Sequence, residues 1–449
     1  MNIVPLVDEG LGNSSYFVSL GDGRALVVDP SRDPSPYLDL ARRLELRIAF
    51  ALETHLHADF ISGSRELAAQ GATILAPRAS QLAMPYQGLA DGAEVDLGGL
   101  TLQALATPGH APEHLAYLLI DDARPVALFS GGALLPGGAA RTDLISAAQT
   151  EPLARDLYRS VRQRLNALPD SLPLFPTHGA GSFCSTAADG RRTTTLGRER
   201  EANPLFAAVD EDAFARTFLA GLGSYPSYFL RLRSINRRGS RLYGSTLPEL
   251  RPLSVEEFRK QLATGATLID ARPFPDFAGG HIDGALAIGL RPAFASWLGW
   301  LVPENRPIVF VLGPDQDRRD IVRQSLKIGY ENLAGELEGG MSVWRAAGLP
   351  ESTIELRGAD DELQGTPLDV RQASEWALGD IPGARHVELG SLTRAAATLP
   401  PGPLTIYCRH GDRSMTAASL LEAEGRRNLA VLEGGFEAWT NRRGSIAVG

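Results

Sequence analysis

The chain has 449 residues and a formal net charge of -9, which disfavours nucleic acid as the main partner because phosphate binding needs clustered positive charge. Hydrophobic residues make up 44% of the sequence and charged residues 22%, ordinary values for globular proteins that exclude extensive disorder. A chain of this length exceeds the size of a single core, so two or three domains are expected.

Residues 1–9 contain neither a basic leader nor a sustained apolar stretch. No later run approaches the roughly 18 apolar residues of a membrane-spanning helix. Only two cysteines are present, Cys184 and Cys408, which is too few for a disulfide framework and typical of a reducing compartment. We therefore expect a cytoplasmic protein with two free thiols and no membrane partner.

Residues 1–230 alternate short β-rich runs, such as 24–29 and 100–105, with helical stretches such as 64–70. This pattern predicts an α/β domain. The following segment, 231–252, is rich in Arg, Ser, Gly and Pro and shows no clear period, so we predict a linker there. Its arginines are expected to be solvated, and the alternative is that some of them contact an anionic substrate.

Two later segments of the sequence repeat one another. Leu-Glu-Gly-Gly occurs at 337–340 and again at 432–435, and Asp-Ala-Arg at 270–272 corresponds to Asp-Val-Arg at 369–371. Apolar strands alternate with helices in both segments, as expected for parallel sheets covered on both faces. The two homologous α/β domains are predicted over residues 253–350 and 356–449.

The apolar strand 404–407 runs directly into Cys-Arg-His-Gly-Asp-Arg at 408–413, and a helix is predicted to follow. Backbone N–H groups and the helix dipole favour a thiolate at such a place, and equally an anionic persulfide. Gly411 supplies backbone freedom and Arg413 a fixed positive charge, whereas a merely structural cysteine would not need this loop. The predicted catalytic residues are Cys408, Arg409, Gly411 and Arg413.

These features resemble rhodanese domains, and the resemblance covers residues 251–449. It implies that Cys408 accepts a sulfane sulfur and passes it to a thiol, cyanide or sulfite. Four residues separate the cysteine from the arginine, one fewer than in related phosphatases, which favours sulfur over phosphate. In the first repeat Leu312 stands at the position of the nucleophile. Because leucine cannot carry sulfur covalently, we interpret that repeat as a structural or docking domain.

Histidines follow apolar strands at three places in the N-terminal part of the chain. They are His55 and His57 in Thr-His-Leu-His, His110 in Thr-Pro-Gly-His, and His178 in Pro-Thr-His. Four histidines in equivalent settings indicate metal ligation more than core packing. The sequence therefore predicts a metal site in this domain.

The order of these motifs resembles the metallo-β-lactamase fold, and residues 107–110 and 141–144 are more similar to persulfide dioxygenases than to β-lactamases. Nearly the whole chain resembles fusion proteins that join a persulfide dioxygenase to one cysteine-less and one active rhodanese domain. This resemblance implies an αββα sandwich over residues 1–230. It also implies oxidation of a low-molecular-weight persulfide, such as glutathione persulfide, to sulfite at one Fe(II), with the rhodanese exchanging sulfane sulfur between persulfide and sulfite or thiosulfate.

Two positions depart from the family pattern. The Thr-His-x-His-x-Asp-His motif ends here in Phe60, and Gly132 occupies the place of an aspartate ligand. The loss of these two ligands disfavours a site with two zinc ions. The alternatives to iron that remain are zinc and a domain without metal. The predicted iron ligands are His55, His57 and His110, and the predicted neighbours of the ligands or substrate are Asp59, His114 and His178.

Three interpretations of the whole chain are therefore open. The first is a bifunctional persulfide dioxygenase and sulfurtransferase. The second is a sulfurtransferase with a metal-free N-terminal domain, and the third is a glyoxalase II-like thioester hydrolase fused to a rhodanese. The expected partners are a persulfide, thiosulfate or sulfite, and a thiol, while the sequence leaves a homo-oligomer, the physiological thiol and the direction of sulfur transfer open.

Overall fold

The computed structural model describes residues 2–186, 190–244 and 246–446, with the side chains of 443–446 excepted. The chain divides into two compact units, Met1–Pro248 with Arg323–Gly329, and Glu249–Val322 with Tyr330–Gly449. Among the described residues, no helix combines the length and apolar character needed to cross a membrane.

The N-terminal unit contains two six-stranded sheets and helices on their outer faces. Its strands are β1 (Asn2–Asp8), β2 (Asn13–Ser19), β3 (Arg24–Val28), β4 (Arg47–Leu52), β5 (Thr73–Pro77), β6 (Gln87–Leu89), β7 (Glu94–Asp96), β8 (Leu100–Ala106), β9 (Leu115–Asp121), β10 (Arg124–Gly131), β11 (Pro173–Pro176) and β12 (Thr194–Thr195). Its helices are α1 (Ser35–Arg43), α2 (Ser64–Ala69), α3 (Ala147–Arg159), α4 (Leu196–Ala202), α5 (Pro204–Ala207), α6 (Glu211–Ala220) and α7 (Phe229–Arg238). The strand orders are β1-β2-β3-β4-β5-β6 and β12-β11-β10-β9-β8-β7.

Alternation along the strands explains how this unit is layered, because successive side chains of a strand point to opposite faces. On β9, Tyr117 and Leu119 belong to the core between the two sheets. Leu118 instead packs with Leu157 of α3 on the outer face. On β3, Val27 likewise faces outward into the cluster that includes residues of α1 and α2. The predicted αββα sandwich is therefore confirmed.

The segment expected to be a linker begins as a helix. α7 continues to Arg238, and Leu232 and Asn236 on it are buried. Buried positions four residues apart lie on one face of a helix. Because one of these two residues is the polar Asn236, the sequence shows no hydrophobic period here. The prediction of an irregular connector is therefore wrong for residues 231–238.

The C-terminal unit contains two five-stranded sheets, both entirely parallel. Its strands are β13 (Pro252–Leu253), β14 (Thr267–Asp270), β15 (Leu286–Ala287), β16 (Ile308–Val311), β17 (Leu333–Leu337), β18 (Glu355–Arg357), β19 (Thr366–Asp369), β20 (Arg385–His386), β21 (Leu404–Tyr407) and β22 (Leu429–Leu432). Its helices are α8 (Val255–Ala263), α9 (Phe274–Gly279), α10 (Phe294–Leu301), α11 (Arg318–Lys327), α12 (Gly340–Ala346), α13 (Ala373–Trp376), α14 (Leu392–Ala395), α15 (Asp412–Ala423) and α16 (Gly435–Ile446). Residues 323–327 of α11 belong to the N-terminal unit. The orders β13-β17-β16-β14-β15 and β18-β22-β21-β19-β20 are the same topology, which confirms the two parallel α/β domains.

The repeated Asp-x-Arg motif has the same geometry in both domains. Arg272 donates three side-chain hydrogen bonds to the carboxylate of Asp270, the shortest at 2.6 Å, and Arg371 does the same with Asp369, also with a shortest distance of 2.6 Å. Each arginine also donates to a backbone carbonyl eight residues further along the chain, at 2.8 and 2.7 Å. The motif thus ties the end of a central strand to the loop that follows it.

Candidate functional site

The loop that follows β4 carries the first histidine motif, and α7 fixes its backbone. The side-chain amide of Asn236 donates to the carbonyl oxygens of His57 and Phe60, at 2.8 and 2.9 Å. Arg233 donates to the carbonyl of Leu56 at 2.7 Å. Because a buried carbonyl without a partner is costly, these bonds hold the loop in one conformation.

Three imidazoles converge beside this loop. The Nε2 atoms of His55 and His178 are 3.4 Å apart, and the ring centroid of His110 lies 4.7 Å from His55 and 5.0 Å from His178. One ring nitrogen from each residue lies within 4.8 Å of the other two, so the three could hold a metal ion together. All three rings are buried, with 2% exposure at most.

Each of these imidazoles uses Nδ1 to bind an oxygen of the protein, which leaves Nε2 free as a ligand. Burial is the largest cause that lowers the pKa of both His55 and His110, so these rings are neutral and able to coordinate a cation. The Nδ1 partners are Thr54 Oγ1 for His55 at 2.8 Å, the carbonyl of Arg141 for His110 at 2.6 Å, and Asn13 Oδ1 for His178 at 3.0 Å.

His57 has different surroundings from those that we predicted. Its Nε2 lies 3.1 Å from Asp29 Oδ1 and 3.2 Å from Glu53 Oε2, and its ring stacks on Phe60 with centroids 4.2 Å apart. Burial would lower the pKa of His57, but the two carboxylates outweigh it and raise this pKa to about 10. The structure therefore groups His178, and not His57, with His55 and His110.

Asp59 and His178 lie side by side. Asp59 Oδ2 accepts from the amide of Asn13 at 2.8 Å and lies 3.3 Å from His178 Nδ1. Burial alone would raise the pKa of Asp59, but nearby His178 outweighs it and keeps the group ionised. Together with His57, these two residues form a second group that could hold a cation.

Gly132 and His114 show how the missing aspartate position is filled. A Cβ atom on Gly132 would lie 2.6 Å from His110 Cδ2, so the His110 ring occupies the space of a side chain. The N–H of Gly132 donates to His114 Nε2 at 2.9 Å, and His114 Nδ1 contacts Thr107 Oγ1 at 2.8 Å. Since both ring nitrogens are engaged, His114 braces the site and does not ligate; burial lowers its pKa to about 3.

Cys184 is fully buried near the same residues. Burial is the main cause that raises the pKa of its thiol, and nearby Asp59 adds to the effect. A thiol held in its protonated form is a poor nucleophile. The burial and the raised pKa favour a packing role for Cys184 over a nucleophilic one.

Cys408 ends β21 and faces the start of α15. Its sulfur accepts the N–H of Gly411 at 3.1 Å, and it is 2% exposed. Gly411 has φ of +127°, a conformation that L side chains rarely adopt, so a glycine is required at this turn. Gly435 is equally constrained, because a Cβ there would lie 2.4 Å from the carbonyl oxygen of Cys408.

The two predicted arginines of the loop have different roles. Arg413 forms a two-pronged ion pair with Glu375 at 2.6 and 2.7 Å. Burial would lower the pKa of Arg413, but Glu375 and the sulfur of Cys408 outweigh it and raise that pKa. Arg409 instead points outward, 3.3 Å from the exposed carboxylate of Glu437, which also contacts His410 at 2.7 Å.

The equivalent loop of the first repeat is closed by its own side chains. Leu312 is buried, and Gln316 accepts from the N–H of Gly313 at 2.7 Å while donating to the carbonyl of Ala271, also at 2.7 Å. Arg318 donates to three carbonyls of the same loop and pairs with Glu336. Gln316 thus occupies the N–H of Gly313, and Arg318 fixes the carbonyl groups of the loop.

Several residues that build these sites were missed by the sequence analysis. Thr54 stands next to His55 in the motif, which was an available signal, and Glu375 lies within one turn of the Asp-Val-Arg strand end. Asn13 and Asp29 come from distant strand ends and carry no motif. They reach the site only through the sheet topology, in which β2, β3 and β4 are neighbours.

Comparisons with known proteins agree with this division of the chain. The family model of the metallo-beta-lactamase superfamily matches residues 8–178, and that of the rhodanese-like domain matches residues 254–347 and 352–442. The crystal structure of a metallo-beta-lactamase from Staphylococcus aureus subsp. aureus COL superposes with a TM-score of 0.66 at 28% identity, covering 75% of this chain and 98% of that one. The protein is thus a metallo-beta-lactamase domain joined to two rhodanese-like domains.

Individual relatives indicate which members of the metallo-beta-lactamase superfamily the N-terminal domain is similar to. The chain is 31% identical over 176 residues to human persulfide dioxygenase ETHE1, mitochondrial, and 30% identical over 196 residues to the Bos taurus protein. These matches cover 38% and 42% of this chain and 64% and 70% of the relatives, about two thirds of their length. A hydroxyacylglutathione hydrolase of Prochlorococcus marinus is 31% identical over 163 residues, covering 35% of this chain and 61% of the relative. The chain belongs to the family of persulfide dioxygenase and rhodanese fusion proteins, enzymes of sulfur metabolism.

Proposed function

We propose that the N-terminal unit oxidises a low-molecular-weight persulfide to sulfite at one Fe(II), and that Cys408 transfers sulfane sulfur. In the first reaction one persulfide, one dioxygen and one water give one thiol, one sulfite and two protons. The outer sulfur is oxidised and dioxygen is reduced. The observation that carries this proposal is the convergence of three buried imidazoles, His55, His110 and His178, on one point.

The residues present fit a mononuclear iron. Three imidazoles whose Nδ1 atoms are already bound present their Nε2 lone pairs to one ion, and imidazole is a ligand that suits iron. When bound, Fe(II) supplies redox chemistry with dioxygen and a Lewis acid for the persulfide sulfur. Gly132 supplies no ligand side chain, so the protein contributes no carboxylate there, and an anionic substrate could supply that charge when it binds.

Asp59 completes the charge balance of this site. It is buried, ionised and directed at His178. Its negative charge raises the donor strength of the His178 ring, as carboxylates beside metal-binding histidines do. In this role Asp59 positions a ligand and does not touch the substrate.

At Cys408 the proposed step is sulfur exchange with thiosulfate or a persulfide. The thiolate attacks the outer sulfur of thiosulfate, a new S–S bond forms, the old one breaks, and sulfite leaves with the electron pair. A thiolate acceptor then attacks the cysteine persulfide and regenerates Cys408. The N–H of Gly411 and the N-terminus of α15 stabilise both anionic forms, and Arg413 attracts the dianionic substrate.

The relatives named hydroxyacylglutathione hydrolase give the alternative, a thioester hydrolase. A dinuclear site built on the Thr-His-x-His-x-Asp-His motif is disfavoured, because Phe60 and Gly132 supply no ligands. Iron-loaded protein should consume oxygen and form sulfite with glutathione persulfide, and zinc-loaded protein should not hydrolyse a glutathione thioester. Hydrolysis without oxygen uptake would replace this proposal by the alternative, and inertness in both assays would leave sulfur transfer as the only activity.

A further inference from the structure

A small cavity adjoins Glu53 and His57 in the N-terminal unit. Its volume is about 20 Å³, and apolar side chains such as Ile74 and Met84 form much of its wall. The other polar side chains on it are His55, Arg65, Asn236 and four serines, Ser62, Ser64, Ser80 and Ser240. The hydroxyls of Ser80 and Ser240 are buried and have no hydrogen-bond partner within the described chain. Buried hydroxyls left in this way indicate that something polar fills the cavity.

A buried cluster of Asp29, Glu53 and His57 closes one side of this cavity. The three side chains are 1%, 6% and 0% exposed, and one ligand atom from each lies within 4.8 Å of the others. Glu53 Oε2 and both ring nitrogens of His57 lack a hydrogen bond to any part of the chain that the structure describes. The two carboxylate oxygens are 3.1 and 3.2 Å from His57 Nε2, yet neither is aligned with the ring N–H.

The charge of the cluster also needs a partner. Within the described residues no lysine or arginine pairs with Asp29 or Glu53, so two carboxylates share one imidazole. An imidazole could balance at most one of these charges. Two buried carboxylates without a full set of counter-charges are costly. A divalent cation would remove that cost.

The spacing fits ligands of one ion. Adjacent ligands at roughly 2.1 Å from a metal lie roughly 3.0–3.4 Å from each other in octahedral or tetrahedral geometry, which covers both measured distances. Carboxylates and water suit Mn²⁺ and Mg²⁺, whereas the three-imidazole site suits iron. Asp29 and Glu53 follow the parallel strands β3 and β4, so the sheet itself brings the two carboxylates to one edge.

We propose that Asp29, Glu53 and His57 bind a hydrated divalent cation of the Mn²⁺ and Mg²⁺ type, separate from the site of His55, His110 and His178. A water molecule on the ion would occupy the cavity, within reach of the hydroxyls of Ser80 and Ser240. The cation would lock the ends of β3 and β4, from which the histidine motif starts. This inference does not depend on the persulfide reaction.

The direct test is anomalous diffraction from crystals of the full chain soaked in 10 mM Mn²⁺. We expect a peak within about 2.5 Å of Asp29 Oδ1, Glu53 Oε2 and His57 Nε2. Water alone in the cavity would overturn the proposal, and this result needs no variant that might misfold. A peak at the three-imidazole site reports only on the proposed function, so the two ideas can fail separately.

Binding in solution provides the second test, by Mn²⁺ electron paramagnetic resonance with Mg²⁺ as competitor. Glu53→Gln should weaken Mn²⁺ binding at least tenfold and leave iron loading unchanged. Glu66→Gln is the matched control, because Glu66 is also buried and accepts two backbone N–H groups instead of facing the cavity. Equal Mn²⁺ affinity of Glu53→Gln and Glu66→Gln, with both variants folded by circular dichroism, would contradict the cation site.

Discussion

Replacing Glu375 by glutamine tests whether the charge of Arg413 must be held in place for sulfur transfer. Glutamine keeps one acceptor of the two-pronged pair and loses one charge-assisted hydrogen bond, worth about 1.5–3 kcal/mol. Since Glu375 is 29% exposed, we reduce this to about 1–2 kcal/mol. That energy corresponds to a roughly 5- to 30-fold loss of kcat/KM. The loss should appear in kcat, because Arg413 keeps its charge and still attracts thiosulfate.

The assay is thiosulfate sulfurtransferase turnover over a range of substrate concentrations. Glu375→Asp, which retains the charge, should recover part of the rate. Glu437→Gln is the control, because it breaks the exposed contacts of Arg409 and His410 and should change kcat/KM less than twofold. If Glu375→Gln and Glu437→Gln behave alike, Glu375 does not position Arg413 for catalysis.

Three further predictions concern the thiols and the loops of the two repeats. Cys408→Ser should abolish sulfur transfer from thiosulfate, while Cys184→Ser should retain most of it. Activity in Cys408→Ser would show that Cys408 is not the nucleophile. Leu312→Cys should not make the first repeat active, because Gln316 and Arg318 occupy the loop, and a labelled-sulfur assay of Leu312→Cys in the Cys408→Ser background would expose any gain. Burial would raise the pKa of Glu375, but Arg413 outweighs it and lowers this pKa in the folded protein. The ion pair therefore stabilises the fold at pH values above the pKa of Glu375 in the unfolded chain, about 4.3, and this stabilisation is lost as the pH falls through the pKa in the folded protein. The difference in Tm between wild type and Glu375→Gln should therefore shrink from pH 7 to pH 3, and a constant difference would contradict it.

Sequence patterns were sufficient for the fold and for the position of the loop that carries Cys408. Alternating apolar strands, the repeated Asp-x-Arg and Leu-Glu-Gly-Gly motifs, and the loop after β21 each act locally or recur along the chain. Cys408 and Gly411 lie three residues apart, so their contact could be anticipated from spacing alone. The outward direction of Arg409 could not be predicted from spacing, because this loop side chain contacts Glu437, which lies on α16.

The metal site was harder to predict because its members come from separate strand ends. His55 and His57 lie two residues apart, and the sequence does not say which ring turns toward His110. Two carboxylates from β3 and β4 draw His57 away, and Asn13 from the start of β2 orients His178 instead. Such choices depend on charges that meet only in the folded sheet.

We propose that His55, His110 and His178 hold the iron at which a persulfide is oxidised. The most direct measurement is oxygen uptake with glutathione persulfide after anaerobic Fe(II) loading, in excess Mg²⁺, of wild type and His178→Ala. We predict about one iron per chain and persulfide-dependent uptake in wild type, with both reduced at least tenfold in His178→Ala. Unchanged iron content and oxygen uptake in His178→Ala, or no iron in the wild-type protein, would contradict the account.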